Sequence, residues 1–405
     1  MSMRPKIGIA GFGLEGQATY AFLKDGVAVT VFDERVPDGL PAGVPFVQSL
    51  SIPADIAVVY KSPGIPTSKL TLASRETRIT TLMEAVLERV RERAIGVTGT
   101  KGKSTVASLI HHILTQAGKD AALMGNIGVL DLGLMQGDAP ERLYVLELSS
   151  YQCEHLTRSP HVAVLTNFFP EHLSHHGSLE AYREAKLNVA RFQESTDLFI
   201  DGSDLGVRFK GRVELPGAAP RFETKLLGAH NQRNCALAFA AVRAVGVSEA
   251  AARAAIATFE PLAYRLEKVG THRGVTFYDD SLATVPQATL ASLDALGHVD
   301  TLILGGEDRG VPLSAFAETL AGTDIGTFIA FPDTGEKMTC AVKDRTVAVS
   351  TMEAAVKAAY ERTAAGGVVL LSNASPSFNL FKDYKDKSAQ YRKWIEALGG
   401  GSVAS

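Results

Sequence analysis

The stretch "GVTGTKGKST" (residues 96–105) is the most informative part of this sequence about the fold of its central region. It joins a short apolar run to a helical pattern, as expected of a glycine-rich turn between a strand and a helix. Gly99 and Gly102 allow successive backbone N–H groups to face phosphate oxygens. The Lys103 ammonium suits phosphate charge, and the Ser104 hydroxyl suits Mg²⁺. A valine stands where the common G-x-x-x-x-G-K-[ST] loop has its first glycine, so we predict a shorter nucleotide-phosphate loop.

The same order of apolar run, glycine turn and helix recurs in "KIGIAGFG" (6–13) and "TLILGGEDRG" (301–310). Short apolar runs that alternate with helical segments are typical of βαβ units and buried parallel sheets. A chain of 405 residues has room for about two or three domains. We therefore predict an α/β protein with three domains: a Rossmann-like domain (1–93), a central P-loop domain with a mostly parallel sheet (94–261) and a second Rossmann-like domain (262–405).

Charge and composition indicate a protein that binds small molecules. The 41 Lys and Arg residues against 44 Asp and Glu residues give a net charge of −3, which offers no basic surface to nucleic acid or to an anionic membrane. The three cysteines, Cys153, Cys235 and Cys340, are far apart and fit neither a disulfide framework nor a zinc cluster. No apolar run reaches the roughly 18 residues that span a bilayer. We predict a cytoplasmic monomer without nucleic-acid or membrane partners.

The first glycine turn, Gly11, Gly13 and Gly16, has the spacing G-x-G-x-x-G directly after an apolar run. Asp33 closes the following run, 22 residues after Gly11. This pattern is typical of a helix N-terminus that binds a diphosphate, either of a dinucleotide cofactor or of a nucleotide-sugar. The glycines could instead serve only to pack a helix on a strand, so the residues leave these interpretations open.

Polar residues end the two apolar runs that follow the P-loop. Glu147 ends the run "LYVLE", where a carboxylate is costly unless it is paired or metal-bound. His172, His175 and His176 follow the run "VAVLTNFF", at the edge where α/β proteins bind ligands. Each histidine taken alone is better explained as a surface or loop residue than as a ligand. A metal site beside the phosphate loop is therefore a hypothesis at this point.

A helix is predicted after these histidines. Ser178 is a favourable N-cap, and Tyr182 and Lys186 lie one turn apart on one face of the helix that it begins. An exposed lysine is the simple interpretation of Lys186 from the residues alone.

The motifs of the chain, taken in order, resemble those of the ATP-dependent Mur ligases, most of all the branch that adds D-glutamate. They are "TGTKGKST", "GNIG", "ELSSYQ", "TNFFPEHLSHHGSLEAYREAK", "GAHNQRN", "YRLE", "DDSLAT", "LGGEDRG" and "LLSNASPSFNLFKDY". The resemblance extends over essentially the whole chain. It implies an ATP-dependent acid–amino-acid ligase that adds D-glutamate to UDP-N-acetylmuramoyl-L-alanine through an acyl phosphate. ATP would be a substrate and Mg²⁺ a cofactor, in the synthesis of a peptidoglycan precursor.

Position by position, the resemblance implies four groups of site residues. It places ATP on Gly99, Thr100, Lys101, Gly102, Lys103, Ser104, Thr105, Asn231, Asn234, Arg265 and Asp280. It places the UDP-sugar on Gly11, Gly13, Leu14, Gly16, Asp33, Glu34, Ser62, Pro63, Gly64, Asn126, Ser149 and His172. It places glutamate on Thr284, Arg309, Ser377 and Tyr384. It implies catalytic roles for Lys103, Glu147, His172 and Lys186, and Mg²⁺ ligation by Ser104, Glu147, His172 and Lys186 if that lysine is carbamylated.

The chain departs from the pattern of this branch at several positions. Leu282 and Arg309 stand where lysine is usual, Lys101 stands where asparagine is usual, and "PEHLS" with Glu171 replaces D-H-[LM]-D. Lysine and arginine are not interchangeable, because a guanidinium can grip a carboxylate through two parallel hydrogen bonds. Addition of L-glutamate to the same acceptor is therefore an alternative. A nicotinamide-dependent dehydrogenase and an inactive partner subunit are more distant alternatives, since neither uses Lys103 and Glu147.

Overall fold

The computed structural model describes residues 6–127, 139–214 and 221–400, with their side chains except that of Ser174. Strands in this part of the chain form a five-stranded sheet, two six-stranded sheets and a two-stranded sheet. Among the described residues, all pairs of neighbouring strands are parallel except one, which lies at one edge of the sheet formed by the C-terminal part of the chain. The predicted α/β class with mostly parallel sheets is confirmed.

Contacts between residues divide the chain into two compact units. The first contains Met1–Glu223 and Arg233–Phe259, and the second contains Thr224–Gln232 and Glu260–Ser405. The first unit holds two of the large sheets and the second unit holds the third. The finer division into domains at 1–93, 94–261 and 262–405 stays a prediction.

The first sheet of the first unit has the strand order β3-β2-β1-β5-β7, and β4 pairs with β6 in the small sheet. Its elements are β1 (Lys6–Ala10), α1 (Leu14–Leu23), β2 (Ala28–Phe32), β3 (Phe46–Val47), β4 (Ser51–Ile52), β5 (Val58–Lys61), β6 (Thr71–Leu72), β7 (Arg78–Thr80) and α2 (Leu82–Val90). Alternate residues of β1 and β2 are buried on opposite faces: Ala10 and Phe32 join one core cluster, and Ile9 and Val31 join the other. Burial on both faces explains why these strands are continuous apolar runs.

The second sheet of the first unit has the strand order β13-β12-β11-β8-β10-β9. Its elements are β8 (Ala94–Thr98), α3 (Lys103–Gln116), β9 (Ala121–Gly125), β10 (Leu143–Glu147), α4 (Ser150–Cys153), β11 (Val162–Leu165), α5 (Leu173–His176), α6 (Leu179–Arg191), β12 (Leu198–Asp201), β13 (Arg212–Glu214), α7 (Ala229–Ala244) and α8 (Glu249–Thr258). The first four residues of α7, 229–232, belong to the second unit. Strand β8 lies between β10 and β11, so Thr98, Glu147 and Leu165 end together at one edge. This edge carries the phosphate loop, as is usual for ligand sites in open α/β sheets.

The sheet of the second unit has the strand order β14-β15-β19-β16-β17-β18. Its elements are β14 (Glu267–His272), β15 (Val275–Asp280), α9 (Pro286–Leu296), β16 (Thr301–Leu304), α10 (Ser314–Ala321), β17 (Thr327–Ala330), α11 (Thr334–Met338), β18 (Thr346–Ala348), α12 (Met352–Arg362), β19 (Val368–Ser372) and α13 (Tyr384–Gly399). The one antiparallel pair is the hairpin of β14 and β15. Core clusters cover both faces of this sheet, with Phe277 and Leu371 on one and Leu302 and Leu370 on the other.

The three predicted strand–turn–helix restarts begin with β1, β8 and β16, so these predictions are confirmed. Ser178 is the N-cap of α6, and its side chain accepts a hydrogen bond from the Ala181 N–H at 3.0 Å. None of the described helices combines the length and apolar character that a membrane crossing requires.

The first glycine turn gives a stability test with a matched control. A Cβ atom on Gly16 would lie 2.1 Å from the Gly11 carbonyl oxygen, whereas a Cβ on Gly13 would meet no atom within 4 Å. We therefore expect Gly16→Ala to lower the free energy of unfolding by about 1–3 kcal/mol, because α1 must move away from the turn. Gly13→Ala is expected to change it by less than about 0.5 kcal/mol. Urea unfolding of both variants checks this, and equal midpoints would contradict it.

Candidate active site

The phosphate loop between β8 and α3 depends on two glycines. Gly99 has φ 147° and Gly102 has φ 81°, values that favour glycine. A Cβ on Gly99 would lie 1.9 Å from Thr166 Oγ1, and one on Gly102 would lie 2.8 Å from Asn234 Oδ1. Gly99 has no room for a side chain, whereas at Gly102 the contact is with the end of a side chain that can move. At Gly102 the positive φ is therefore the main reason for glycine.

Two lysine side chains converge on the same carbonyl oxygen of this loop. Lys103 Nζ donates to the Gly99 and Thr100 carbonyl oxygens, each at 3.0 Å. Lys186 Nζ, from α6, donates to the Gly99 carbonyl oxygen at 2.6 Å. The structure thus brings together Lys103 and Lys186, which are 83 positions apart in the sequence.

The end of β11 holds the phosphate loop in place. Thr166 Oγ1 donates to the Lys101 carbonyl oxygen at 2.6 Å, and Asn167 Nδ2 donates to the same oxygen at 2.9 Å. The Lys101 N–H donates to Asn167 Oδ1 at 2.8 Å, and the Thr100 N–H donates to the Asn167 carbonyl oxygen at 3.0 Å. Sequence reasoning assigned no role to Thr166 and Asn167. Their position directly after a strand beside β8 was the available signal.

Glu147 lies at the end of β10 with only 1% of its surface exposed. Its Oε1 accepts hydrogen bonds from Ser104 Oγ at 3.2 Å and from Asn126 Nδ2 at 3.1 Å. Its Oε2 is buried and has no donor among the described residues. A buried carboxylate oxygen without a donor, beside a hydroxyl, suits Mg²⁺, which prefers oxygen ligands. Glu147 and Ser104 therefore fit a magnesium site.

His172 follows β11 and has a left-handed backbone, with φ 56°. Its Nδ1 shares a 2.8 Å hydrogen bond with the Tyr151 hydroxyl, and its Nε2 lies 3.5 Å from Glu171 Oε2. A positive φ is uncommon for residues other than glycine and is often found at functional sites. The ring is thus held from both sides while 39% of the side chain stays exposed.

Lys186 is almost completely buried, which contradicts the interpretation of it as an exposed lysine. Burial, together with the nearby Lys103 ammonium, lowers the pKa of Lys186 well below its usual range. Its ammonium lies 4.7 Å from the centre of the Tyr182 ring, one helical turn away. A lysine in this setting is neutral more often than an exposed one, and a neutral amine can react with an electrophile such as CO₂.

Glu154, His175 and His176 also approach one another, with ligand atoms all within 4.8 Å. Glu154 Oε2 lies 3.6 Å from His175 Nε2, but it also lies 3.1 Å from the buried ammonium of Lys61. Thr67 Oγ1 donates to Glu154 Oε1 at 2.9 Å. The Lys61 ammonium already neutralises this carboxylate and would repel a cation. An ion pair that joins the first two sheets therefore accounts for the cluster.

The predicted UDP-sugar residues of the first turn lie together at the ends of β1, β2 and β5. Ser62 Oγ donates to the Gly11 carbonyl oxygen at 2.7 Å, and the Phe12 N–H donates to Asp33 Oδ2 at 2.9 Å. Gly11 has φ 85°. Asp33 therefore fixes the turn itself. Leu14 begins α1 with its side chain exposed.

The other predicted members of this group occupy two places. Pro63 and Gly64 follow Ser62, and the exposed Glu34 pairs with Lys69 Nζ at 2.8 Å. Asn126 and Ser149 lie at the edge of the second sheet, where Asn126 contacts Glu147 and Ser149 is the N-cap of α4.

Glu15 was missed by sequence reasoning. It is buried in the first turn of α1, where Gln152 Nε2 donates to its Oε2 at 2.9 Å and its Oε1 has no donor among the described residues. Burial raises the pKa of Glu15 to about 7, although the Gln152 hydrogen bond and the Lys61 charge oppose this. The contact between Glu15 and Gln152 links the helix after the first glycine turn to the helix that follows β10. In the sequence, this role was indicated only by the presence of an acidic residue inside G-x-G-x-x-G.

In the second unit, Asp280 is tied to its surroundings. Its carboxylate accepts hydrogen bonds from Ser292 Oγ at 2.6 Å, Ser372 Oγ at 2.9 Å and the Leu266 N–H at 3.2 Å. Burial raises the pKa of Asp280 to about 6 despite these bonds. Arg265 lies between two residues with positive φ, Tyr264 at 66° and Leu266 at 50°. The Asp280 carboxylate thus stabilises the turn that carries Arg265.

The predicted glutamate residues lie on three loops of the second unit, after β15, β16 and β19, and at the start of α13. Arg309 pairs with Glu307 at 2.8 Å and lies 5.6 Å from the centre of the Phe378 ring. Asn373 Nδ2 donates to the Ser281 carbonyl oxygen and to Ser377 Oγ, at 2.7 and 3.2 Å.

Asn373 therefore joins the loop of Thr284 and Leu282 to the loop of Ser377. Tyr384 begins α13 and contacts the Tyr264 ring at 5.4 Å. Asn231, at the start of α7, donates from Nδ2 to the Leu227 carbonyl oxygen at 2.7 Å.

Comparison with known proteins agrees with this arrangement. The family described as Mur ligase middle domain matches residues 97–205, and the family described as Mur ligase, glutamate ligase domain matches residues 264–374. A UDP-N-acetylmuramoyl-L-alanine--L-glutamate ligase of Micromonospora sp. is 37% identical, over 85% of this chain and 83% of the relative. A UDP-N-acetylmuramoylalanine--D-glutamate ligase of Symbiobacterium thermophilum is 31% identical, over 98% of this chain and 99% of the relative.

A solved structure extends the similarity to the fold. The crystal structure of the MurF ligase of Thermotoga maritima in complex with ADP has a TM-score of 0.61. It is 16% identical and covers 98% of this chain and 96% of that chain. The similarity in fold extends over both units of this chain.

The buried Glu15 predicts a pH-dependent stability. Between pH 4.5 and about 7 the folded state holds a proton that the unfolded state has lost, so this group makes stability fall as pH rises. We expect Glu15→Gln to raise the free energy of unfolding by up to about 3 kcal/mol at pH 8.5 and to lose most of this gain at pH 5. Urea unfolding at the two pH values measures it. The control Glu180→Gln, in the exposed first turn of α6, should change little at either pH; an equal response of both variants would contradict the assignment.

Proposed function

The chain belongs to the Mur ligase family, and we propose that it joins glutamate to UDP-N-acetylmuramoyl-L-alanine while ATP is converted to ADP and phosphate. The observation that carries this proposal is the convergence of Lys103 and Lys186 on the Gly99 carbonyl oxygen, beside the buried Glu147. A dehydrogenase would leave these three side chains without a purpose. The two relatives described above are named as glutamate ligases, which supports the same reaction.

ATP phosphates fit the loop from Gly99 to Thr105. Backbone N–H groups at the start of α3 and the positive end of that helix favour anionic oxygens. The Lys103 ammonium holds two loop carbonyl oxygens and lies where it can exchange them for β- and γ-phosphate oxygens. Asn234 lies next to Gly102, with its Oδ1 2.8 Å from where a Cβ atom would stand, so it is close enough to the loop to contact the nucleotide.

Magnesium would be held by Ser104, Glu147, His172 and a carbamylated Lys186. When bound, Mg²⁺ neutralises charge that develops on the transferred phosphoryl group. The free Glu147 Oε2 and the adjacent Ser104 hydroxyl are the observations that support this set. Carbamylation converts the Lys186 amine into an anion and leaves one N–H, which can keep the bond to the Gly99 carbonyl oxygen.

The reaction has two steps. An oxygen of the L-alanine carboxylate attacks the γ-phosphorus of ATP, the bond to the β,γ-bridging oxygen breaks, and ADP leaves. The product is an acyl phosphate. The glutamate amine then attacks its carbonyl carbon, loses a proton, and the tetrahedral intermediate expels phosphate to leave a peptide bond. Lys103 stabilises the charge on the phosphoryl oxygens in the first step.

The two relatives are named for different enantiomers of glutamate. The sequence motifs predict D-glutamate, which is the substrate in the name of the relative that spans 98% of this chain. L-Glutamate is a second candidate, favoured by the higher identity, 37% against 31%, to a relative named as an L-glutamate ligase. Arg309 and Leu282, the departures from the usual lysines, lie on two of the three loops that carry the predicted glutamate residues.

The proposal predicts product only from the complete set of substrates. Purified protein with ATP, Mg²⁺, UDP-N-acetylmuramoyl-L-alanine and either D- or L-glutamate should release phosphate and form a product heavier by one glutamyl residue. Mass spectrometry identifies the product and the enantiomer. Lys103→Met should lower kcat by at least about 100-fold, because the phosphoryl charge loses its ammonium. No product with either enantiomer would refute the ligase assignment.

Lys186 gives a separate prediction about carbamylation. Lys186→Ala should lose most activity, because the site lacks the anion that the carbamate supplies. Added acetate or formate should restore part of it, since a small carboxylate can occupy the same space. The control is Lys210→Ala, at an exposed lysine of the same unit, which should keep full activity without addition. Full activity of Lys186→Ala, without any rescue, would exclude this role.

A further inference from the structure

Two residues at which the chain departs from the usual motifs contact each other. Lys101 Nζ lies 2.6 Å from Glu171 Oε1, within hydrogen-bond distance, although the two residues are 70 positions apart. Lys101 comes from the phosphate loop and Glu171 from the segment between β11 and α5. Their side chains are 41% and 20% exposed, so water reaches the ammonium more than the carboxylate.

Glu171 also connects the Lys101–Glu171 pair to His172. Glu171 Oε2, the oxygen that Lys101 does not contact, lies 3.5 Å from His172 Nε2. The Tyr151 hydroxyl holds the opposite ring nitrogen at 2.8 Å. The imidazole is therefore positioned between a tyrosine and a carboxylate, and the carboxylate is in turn fixed by Lys101.

The two ends of this arrangement differ in rigidity. The Lys101 backbone is fixed on both sides, since its N–H and its carbonyl oxygen bond to side chains at the end of β11. His172 has a strained φ of 56° and precedes a helix of only four residues, α5. Such a segment has little regular structure of its own to hold the ring. The contact from Lys101 of the phosphate loop through Glu171 restrains the His172 ring.

We propose that Lys101 and Glu171 are a positioning pair that orients His172 relative to the phosphate loop. In this proposal, which rests on the proposed function, the Lys101 ammonium pairs with the Glu171 carboxylate and does not bind the triphosphate. The pair is partly exposed, so its contribution to overall stability is small. Its effect on catalysis is larger, because a displacement of about 1 Å at a reacting site can lower the rate by about 100-fold.

The test compares the variants Lys101→Met, Glu171→Gln, their combination and Lys101→Arg. Each single variant is expected to lower kcat about tenfold and to leave KM for ATP within about twofold, because the ring loses its orientation but the phosphates keep their contacts. The combination should be no slower than either single variant, since one interaction is lost once. Lys101→Arg should keep most of kcat, because a guanidinium can pair with Glu171.

The control variant is Lys210→Met. Lys210 belongs to an exposed pair with Glu194, at 3.4 Å, and its loss should leave kcat and KM unchanged. Calorimetric binding of a non-hydrolysable ATP analogue adds a readout that needs no ligase reaction. If Lys101 pairs with Glu171 and not with phosphate, the dissociation constant of the analogue for Lys101→Met should stay within about twofold of wild type.

Three results would overturn the proposal. A severalfold weaker binding of the ATP analogue by Lys101→Met, with or without Glu171→Gln, would show that Lys101 binds phosphate. Losses that multiply in the combined variant would show independent roles. Full activity of both single variants would show that the pair orients nothing. An inactive wild-type enzyme that binds the analogue would refute the proposed function instead.

Discussion

The Gly99 carbonyl oxygen accepts hydrogen bonds from Lys103 and Lys186, and the candidate site depends on this convergence. It is possible only because Gly99 has φ 147° and no Cβ, which would lie 1.9 Å from Thr166 Oγ1. Burial, together with the nearby Lys103 ammonium, lowers the pKa of Lys186 well below its usual range. One glycine conformation thus lets two lysine side chains meet at the same carbonyl oxygen.

Much of the fold follows from local sequence. Continuous apolar runs predict β1, β8 and β16 because parallel strands are buried on both faces. Ser178 predicts the start of α6 because its side chain accepts from the Ala181 N–H. These predictions hold because each depends on residues a few positions apart.

The contacts that organise the site are different. Thr166 bonds to the loop across 65 positions, Lys101 to Glu171 across 70, and Gln152 to Glu15 across 137. No local pattern predicts such partners, because the contacts of Thr166 and Lys101 form where the ends of β8 and β11 align, and the contact of Gln152 with Glu15 joins α4 to α1. The left-handed His172 is likewise a result of tertiary contacts, because its sequence carries no glycine signal. The family motifs indicate which residues matter, but the contacts that position them become visible only in the structure.

The central claim is that the phosphate loop serves to activate a carboxylate, and an isotope experiment tests it most directly. The acceptor is prepared with ¹⁸O in both oxygens of its L-alanine carboxylate and is incubated with ATP, Mg²⁺ and glutamate. If an acyl phosphate forms, one carboxylate oxygen leaves with the phosphoryl group, so mass spectrometry of the released phosphate should find one ¹⁸O atom per molecule. Phosphate without ¹⁸O, released at the same rate as the peptide product, would contradict the account.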